Sequence, residues 1–301
     1  MKLPDFFLAG APKSGTTALS EYLREHPGVF FSNPKELNYF CEDFAEHRFI
    51  RTRADYEKQF MAAAPEQRVG EGSVVYLYSR VALANIRAFN PDAQIIIMLR
   101  NPLDMIPALH QQFLAALYED EPSFERAWSL QEERAQGRHI PRLCREPELL
   151  AYRRIGLLGE QVERLWRVFP REQTLLILFD DFIADTAATY RQVLDFLGLE
   201  DDGRNEFPVV NEAHALRTGL AGRVVRSAPP ALRNLITRMR YHPVTRALPA
   251  LADRWLKQPQ PRTELSGAFR EGLKAAFRED VELLGQLLER DLPGLWGFDR
   301  I

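Results

Sequence analysis

A short apolar run followed at once by a glycine-rich loop constrains the fold of this chain most strongly. FFLAG, at positions 6–10, predicts a buried strand, and TTALSEYLREH, from position 16, predicts a helix. Between them, in GAPKSGTT, Gly10 and Gly15 have the spacing of the phosphate-binding loop G-x-x-x-x-G-K-[ST]. Thr16 stands where that loop has its lysine, and the lysine of this chain is instead Lys13, inside the loop.

This loop predicts an anion-binding site. Glycines allow backbone N–H groups to curl around an anion, and the helix that begins near Thr16 presents its positive end to the same place. Ser14, Thr16 and Thr17 add hydroxyl donors. A glycine turn with a Ser/Thr helix cap is the alternative. The order of strand, loop and helix is the order that the phosphate motif requires, so it favours the anion site.

Three further apolar runs predict buried strands: VFFS at 29–32, AQIIIMLR at 93–100 and TLLILF at 174–179. The alternation of such strands with helices predicts an α/β fold with a mostly parallel central sheet flanked by helices, a three-layer fold like that of P-loop NTPases. We expect one domain over 1–301, with 205–262 as a helical lid or covering segment. Helices are predicted over 16–26, 52–63, 79–90, 103–118, 123–136, 148–168, 184–197 and 261–292.

Composition limits the partners of the chain. A net charge of -3 argues against nucleic acid as a ligand. Two cysteines, Cys41 and Cys144, suit a reducing cytosol, and no apolar run approaches the roughly 20 residues of a membrane span, so we expect a cytoplasmic protein. The segment 213–252 holds seven arginines and no acidic residue. It is either the solvated face of helices or a site for anions or a membrane surface, and peripheral membrane contact stays open.

Charged residues follow the other predicted strands. Lys35 and Glu36 come after the second, Arg100 after the third, and Asp180 and Asp181 after the fourth. Because ligands of an open parallel sheet bind at the carboxyl ends of its strands, we expect these residues to form an active site together with the glycine loop.

Taken in order, these segments resemble those of sulfotransferases that use 3′-phosphoadenylyl sulfate (PAPS). PKSGTT at 12–17 resembles their 5′-phosphosulfate loop, whose lysine also precedes the glycine. KELNYF at 35–40 resembles the KEPHFF-type segment of the carbohydrate and heparan sulfate branch, and IIIMLRNPLDM at 95–105 resembles the strand and RNP segment. LFDDFIADTAATYRQVLDFLGL at 178–199 resembles a later strand and helix, and LLERDLPGLWGF at 287–298 also fits bacterial members. The resemblance covers nearly the whole chain outside 205–262.

The resemblance implies a sulfuryl transfer from PAPS to a hydroxyl or amine, with 3′,5′-adenosine bisphosphate (PAP) as product and no metal. Carbohydrates, lipids and secondary metabolites are all possible acceptors, and the oligomeric state is not predicted. Lys13, Ser14, Gly15, Thr16 and Thr17 would bind the 5′-phosphosulfate, with Lys13 neutralising the charge that develops on the leaving phosphate.

The resemblance also assigns roles outside the loop. Glu36 would be the general base, with His110 as the other candidate. Arg100 would bind the 3′-phosphate of the nucleotide. The family pairs that arginine with a serine eight positions on, where this chain has Ala108. Arg217, in the arginine-rich segment, is the candidate replacement.

A second departure from the family lies at 71–77. EGSVVYL resembles an EKTPSYF-type segment, but Gly72 stands in place of its lysine. Two other functions stay open. A magnesium-dependent nucleotide kinase or ATPase would use Asp180 as its metal ligand, although the lysine after Gly15 is absent and Asp180 or Asp181 is more simply a helix cap or structural partner. A non-catalytic nucleotide-binding protein would explain Ala108 and the altered 71–77 segment.

Overall fold

The computed structural model describes residues 2–210, 214–216, 257–259 and 265–298. Within these ranges, a five-stranded sheet has the order β2-β3-β1-β4-β5, and each neighbouring pair is parallel. Its strands are β1 (Phe6–Gly10), β2 (Val29–Phe31), β3 (Arg68–Gly72), β4 (Gln94–Leu99) and β5 (Thr174–Leu178). Two short strands, β6 (His214–Leu216) and β7 (Lys257–Pro259), form a separate antiparallel pair. The predicted α/β fold with a mostly parallel sheet is confirmed.

Helices connect the strands and cover both faces of the sheet. They are α1 (Thr16–Glu25), α2 (Arg53–Lys58), α3 (Val75–Tyr78), α4 (Ala82–Phe89), α5 (Pro102–Ala116), α6 (Phe124–Ser129), α7 (Gln131–Ala135), α8 (Tyr152–Gly156), α9 (Leu158–Val168), α10 (Phe179–Ala184), α11 (Thr186–Leu197), α12 (Gly267–Leu288) and α13 (Leu292–Trp296). Short 3₁₀ turns occupy Glu42–Phe44, Pro147–Leu150 and Arg171–Gln173.

The three layers are explained by the alternation of side chains along β4. In β4, Ile96 and Met98 pack into a core shared with α1 and α11. Ile95 and Ile97 point the other way, into the larger core shared with α3, α4, α5, α9 and α12. Because helices cover both faces of β4, the side chains on both of its faces are apolar. Its sequence is therefore a continuous hydrophobic run.

Strand β3 was not predicted, although it lies between β1 and β2. Its sequence, RVGEG, contains residues that are depleted in strands. The glycine at position 70 is required by packing, since a Cβ there would lie 2.3 Å from Cζ of Phe6 and 2.8 Å from Cδ2 of Phe31. A close approach of aromatic rings to the backbone therefore produces a strand without the usual β-branched pattern.

Several predicted helices are divided or shortened in the structure. The region 148–168 is a 3₁₀ turn followed by α8 and α9. The break comes before Gly159, whose backbone N–H, like that of Glu160, donates to the carboxylate of Asp280 at 2.8 and 2.9 Å. An acidic group from α12 thus caps the amino end of α9, where the helix dipole favours negative charge.

The carboxyl-terminal part of the described chain completes the larger core. Phe277 on α12 packs against Gly156, where a Cβ would lie 2.5 Å from Cε1 of the ring. Trp296 on α13 is buried, and its carbonyl oxygen accepts from Nδ2 of Asn101 at 3.3 Å. The residues next to the end of β4 are therefore held in part by α13.

Most of the expected covering segment at 205–262 lies outside the described residues. Of its described parts, residues 205–210 follow α11, and β6 lies against α5. In the described ranges, no helix has both the length and the hydropathy that crossing a membrane would need.

Candidate active site

The loop after β1 enters α1 through a left-handed glycine. Gly15 has φ 88°, and Lys13 has φ 58°. A side chain at Gly15 would also be crowded, because its Cβ would lie 3.1 Å from Cδ2 of Phe179 and 3.2 Å from Cε of Met98. The glycine is required both for backbone conformation and for close packing against the ends of β4 and β5. This geometry turns the loop around the amino end of α1, as the sequence predicted.

Positive charge is concentrated at this edge of the sheet. Arg100, directly after β4, donates from Nη1 to the carbonyl oxygen of Lys13 at 2.9 Å, and its guanidinium lies 4.6 Å from the ring centre of Phe179. Burial lowers the pKa of Lys13, and the charges of Arg100 and Lys35 lower it further. The structure thus brings together three of the predicted cations, Lys13, Lys35 and Arg100, and such an arrangement suits a ligand with several negative charges.

The hydroxyl groups of the loop have different environments. Ser14 is fully buried and donates to the carbonyl oxygen of Pro12 at 3.2 Å. Thr16 is buried at the start of α1, and its Oγ1 accepts from Nζ of Lys35 at 3.2 Å. Thr17 is partly exposed. The loop hydroxyls therefore lie at the same edge of the sheet as the cations. Thr16 is hydrogen-bonded to one of these cations, Lys35.

Glu36 is held between the ends of β2 and β3. Its carboxylate accepts from Nζ of Lys35 at 2.9 Å and from the backbone N–H of Val74 at 3.1 Å. Its own backbone N–H donates to the carbonyl oxygen of Gly72 at 2.7 Å. The side chain keeps 37% of its surface exposed, so the carboxylate is both fixed in position and open to a ligand.

His110, the second candidate base, lies in the core. It is fully buried, with Nε2 2.9 Å from the carbonyl oxygen of Glu121. Its ring contacts those of Phe124 and Tyr152, at centroid distances of 5.4 and 5.9 Å. Burial lowers the pKa of the imidazole. The structure does not place His110 beside the loop and Glu36, and its contacts are those of a packed core residue.

The two aspartates after β5 have structural partners. Oδ2 of Asp180 accepts from the indole N–H of Trp296 at 3.1 Å. Asp181 forms a two-point ion pair with Arg290, at 3.0 and 3.2 Å. Both side chains anchor the carboxyl-terminal helices to the end of β5. Among the residues that the structure describes, no group of three or more His, Cys, Asp and Glu side chains is arranged to hold a metal ion.

Two positions bear on the expected 3′-phosphate site. Ala108 lies on α5 and is partly exposed, on the helix that begins next to Arg100. Arg217, the candidate replacement for the missing serine, lies outside the described residues.

A buried polar network beneath Glu36 was missed by the sequence analysis. Glu71 is fully buried in β3, and it accepts from Oγ of Ser73 at 2.6 Å. That hydroxyl oxygen in turn accepts the backbone N–H of Asn38 at 3.0 Å. Burial raises the pKa of Glu71 to about 7, and the charge of Glu36 also raises it. Residues 71–77 were matched to a family segment from the sequence, but strand β3 was not predicted, and Glu71 and Ser73 were assigned no role.

Comparison with known proteins agrees with this geometry. A family model described as a sulfotransferase domain matches residues 3–210. Heparan sulfate glucosamine 3-O-sulfotransferase 3B1 of Mus musculus is 30% identical over 199 residues, which are 66% of this chain and 47% of that protein. Heparan sulfate glucosamine 3-O-sulfotransferase 6 of Homo sapiens is 29% identical over 201 residues, 66% of this chain and 53% of that protein. The chain thus spans about half the length of the curated relatives it matches.

Among solved structures, the crystal structure of a sulfotransferase from Alicyclobacillus acidocaldarius superposes with a TM-score of 0.71 and 28% sequence identity. The match covers 99% of this chain and 100% of that chain. The family model, the sequence relatives and this fold agree with the ordered motifs of the sequence. The chain belongs to the sulfotransferase family.

Proposed function

We propose that the protein transfers a sulfuryl group from PAPS to a hydroxyl or amine group of an acceptor. The proposal depends on one observation: Lys35 forms hydrogen bonds both to Thr16 in the glycine loop and to Glu36. Lys13 and Arg100, which contact each other, lie at the same edge of the sheet. Such a transfer needs an anion-binding loop and an exposed carboxylate close to each other, and this edge of the sheet has both. The loop binds the anionic donor, and the carboxylate removes the acceptor proton.

Lys13 acts on the leaving group. As the bond between sulfur and the bridging oxygen of the 5′-phosphate breaks, the electron pair of that bond stays on the phosphate. A cation held at this position stabilises the growing charge more than it stabilises the starting donor, and this difference lowers the barrier. The backbone N–H groups of the loop and the hydroxyls of Ser14, Thr16 and Thr17 hold the remaining phosphate oxygens.

Glu36 acts as the general base. The acceptor oxygen or nitrogen forms its bond to sulfur from the side opposite the phosphate, and its proton passes to the Glu36 carboxylate. The burial of His110 among aromatic rings supports Glu36 as the base in preference to this histidine.

Arg100 binds the 3′-phosphate, because a guanidinium can hold two phosphate oxygens at once. Ala108 cannot supply the hydroxyl that the family has there, so this proposal assigns the additional contact to Arg217. PAPS is the donor and PAP the product, and the proposed chemistry uses no metal.

We propose a small molecule, a glycan or a lipid as the acceptor. The relatives are named for heparan sulfate, which supports a glycan hydroxyl. Residues 1–301 would form one cytoplasmic domain in which 205–262 covers the bound nucleotide. The kinase alternative is not favoured, because Asp180 and Asp181 are engaged by Trp296 and Arg290.

The test is a calorimetric titration of the protein with PAP, run beside ADP with magnesium, and followed by transfer from radiolabelled PAPS to a panel of glycans, lipids and phenols. We expect PAP to bind tightly with or without a chelator and at least one acceptor to be labelled. Preference for magnesium–ADP would overturn the proposal in favour of a kinase. Tight binding of PAP without labelling of any acceptor would favour a non-catalytic nucleotide-binding protein.

A further inference from the structure

Lys35 lies between the two halves of the proposed site. Its Nζ donates to Oγ1 of Thr16, in the donor-binding loop, at 3.2 Å and to Oε1 of Glu36 at 2.9 Å. Only 13% of the side chain is exposed. A single ammonium group thus joins the element that would hold the sulfuryl donor to the carboxylate that would meet the acceptor. The sulfuryl group must cross the space between these two elements.

We propose that Lys35 binds the sulfuryl group during transfer, and that Gly72 provides the space that lets its side chain reach it. The inference rests on the proposed sulfuryl transfer. It adds a catalytic cation to the site, and it relates that cation to Gly72, where the related segments carry a second lysine.

The space above Gly72 is filled by the Lys35 side chain. A Cβ built on Gly72 would lie 3.2 Å from Cε of Lys35 and 3.0 Å from Cζ of Phe31. Both distances are shorter than ordinary van der Waals contacts between carbon atoms. An alanine at this position of β3 therefore requires the lysine stem or the Phe31 ring to shift by a few tenths of an ångström, and a longer side chain requires more. In this structure the two positions are therefore coupled: the positive charge reaches the site from residue 35, and a side chain at residue 72 would meet the lysine stem.

The charge balance of the transfer explains why a cation is needed at this point. The sulfuryl group is anionic in PAPS, and it approaches a second anion, the Glu36 carboxylate. Without a cation between them, the two negative charges repel each other in a partly desolvated site. Lys35 is paired with that carboxylate and with Thr16, and its third ammonium hydrogen remains to meet a sulfuryl oxygen.

The role of Lys35 changes as the reaction proceeds. The acceptor atom bonds to sulfur, the bond from sulfur to the 5′-phosphate oxygen breaks, and the acceptor proton moves to Glu36. Neutralising that carboxylate removes one partner of Lys35. The interaction of the ammonium with the sulfuryl oxygens then strengthens near the transition state, which is where stabilisation accelerates the reaction. Lys35 takes no part in this proton transfer.

The test compares two nucleotides that differ in the sulfuryl group. PAPS carries this group, whereas PAP ends in the 5′-phosphate, so the ratio of their affinities reports the contribution of the sulfuryl end of the donor and needs no acceptor. Lys35→Met keeps the length of the stem and removes the charge. We expect it to weaken PAPS binding by about 10- to 150-fold, the loss for a hydrogen bond to a charged group, and to leave PAP binding unchanged. Lys58→Met, at a lysine that is 63% exposed on α2, is the matched control.

Gly72→Ala should weaken PAPS binding in the same selective way, by displacing Lys35. In the Lys35→Met background the same alanine should cause no further loss of PAPS affinity, because the charge is already absent. Additive losses would overturn the coupling between the two positions. The Lys35→Met effect should also persist in a Glu36→Gln background. Its disappearance there would show that the lysine only neutralises the carboxylate, and would overturn direct contact with the sulfuryl group.

The outcomes separate this inference from the proposed function. If the native protein binds neither PAP nor PAPS, the proposed function fails. If it binds both, and Lys35→Met leaves the ratio of the two affinities unchanged, the function stands and the role of Lys35 is wrong. Unchanged PAP affinity in each variant also shows that the variant is folded.

Discussion

Arg100 donates from Nη1 to the backbone carbonyl oxygen of Lys13 at 2.9 Å. The contact joins the end of β4 to the loop after β1, although 87 residues separate the two positions. In the proposed function, one residue binds the 3′-phosphate and the other stabilises the 5′-leaving group. The two ends of the nucleotide are therefore recognised by residues that hold each other in place, and neither should be altered without some effect on the other.

Replacement of Arg100 should weaken binding of the 3′-phosphate selectively. Arg100→Ala removes a guanidinium that can hold two phosphate oxygens, so we expect PAP to lose about 10- to 150-fold more affinity than AMP, which lacks the 3′-phosphate. Calorimetric titration with both nucleotides measures the difference. Arg167→Ala, at an arginine that is 68% exposed, serves as the control. Equal losses for PAP and AMP would mean that Arg100 only supports the loop.

Glu36→Gln should separate binding from turnover. The amide can still accept the Val74 N–H but cannot take a proton, so PAP affinity should be kept while turnover falls by about 10²–10⁴-fold. The measurement is the rate of transfer from labelled PAPS to the acceptor found in the panel. Glu133→Gln replaces a carboxylate of similar exposure, 40%, on α7 and should change neither quantity. Turnover near the native level in Glu36→Gln would remove Glu36 from the mechanism.

Glu71 should make the protein less stable as the pH rises. Burial raises its pKa in the folded state from 4.5 to about 7, so folding favours the protonated carboxyl. Its contribution to the free energy of unfolding is fully present below the unfolded pKa and is lost as the pH rises through about 7. The loss is about 3 kcal/mol, since one pKa unit corresponds to about 1.4 kcal/mol.

Urea unfolding of native protein and Glu71→Gln, at about pH 5 and about pH 8, measures this contribution. We expect the variant to lose less stability over the interval. Some dependence should remain, because burial also raises the pKa of Asp280, to about 6. The same loss in both proteins would show that Glu71 keeps an ordinary pKa.

Arg134 should be among the most sensitive positions of the core. It forms a buried two-point ion pair with Glu119, at 2.6 and 2.7 Å, and Tyr152 donates to the same carboxylate at 2.7 Å. Arg134→Met leaves a buried carboxylate without its cation, and we expect a loss of about 3–5 kcal/mol in the free energy of unfolding. The Glu119→Gln/Arg134→Met double variant should lose less, because the neutral amide still accepts from Tyr152. A double variant less stable than Arg134→Met would contradict this account.

The sequence predicted those parts of the fold in which local pattern and tertiary packing agree. Continuous apolar runs identified β1, β4 and β5, and the glycine spacing identified the loop that ends at Gly15. The strand containing Glu71 was missed because its glycines are set by the rings that pack on them, and no local pattern records that packing.

The sequence predicted the location of some candidate site residues but not the contacts between them. The position of a residue after a strand was enough to predict that Glu36 and Arg100 lie at this edge of the sheet, since parallel strands deliver their carboxyl ends to one edge. Their roles stay predictions. The connection of Lys35 to Thr16 depends on the space above Gly72, which appears only in three dimensions. The burial of His110 likewise depends on rings from α6 and α8 that lie later in the chain.

The hydrogen bond from Asn101 to Trp296 has a consequence for how the protein is made. The loop, Glu36 and Arg100 leave the ribosome before Trp296, which follows Asn101 by 195 residues. At about 5–20 residues per second, this interval lasts about 10 to 40 s. Until α12 and α13 arrive, the apolar surfaces that they cover remain open to solvent and to chaperones. The residues of the site are thus translated before the helices that hold them, and the site becomes complete only after residue 296 has been translated.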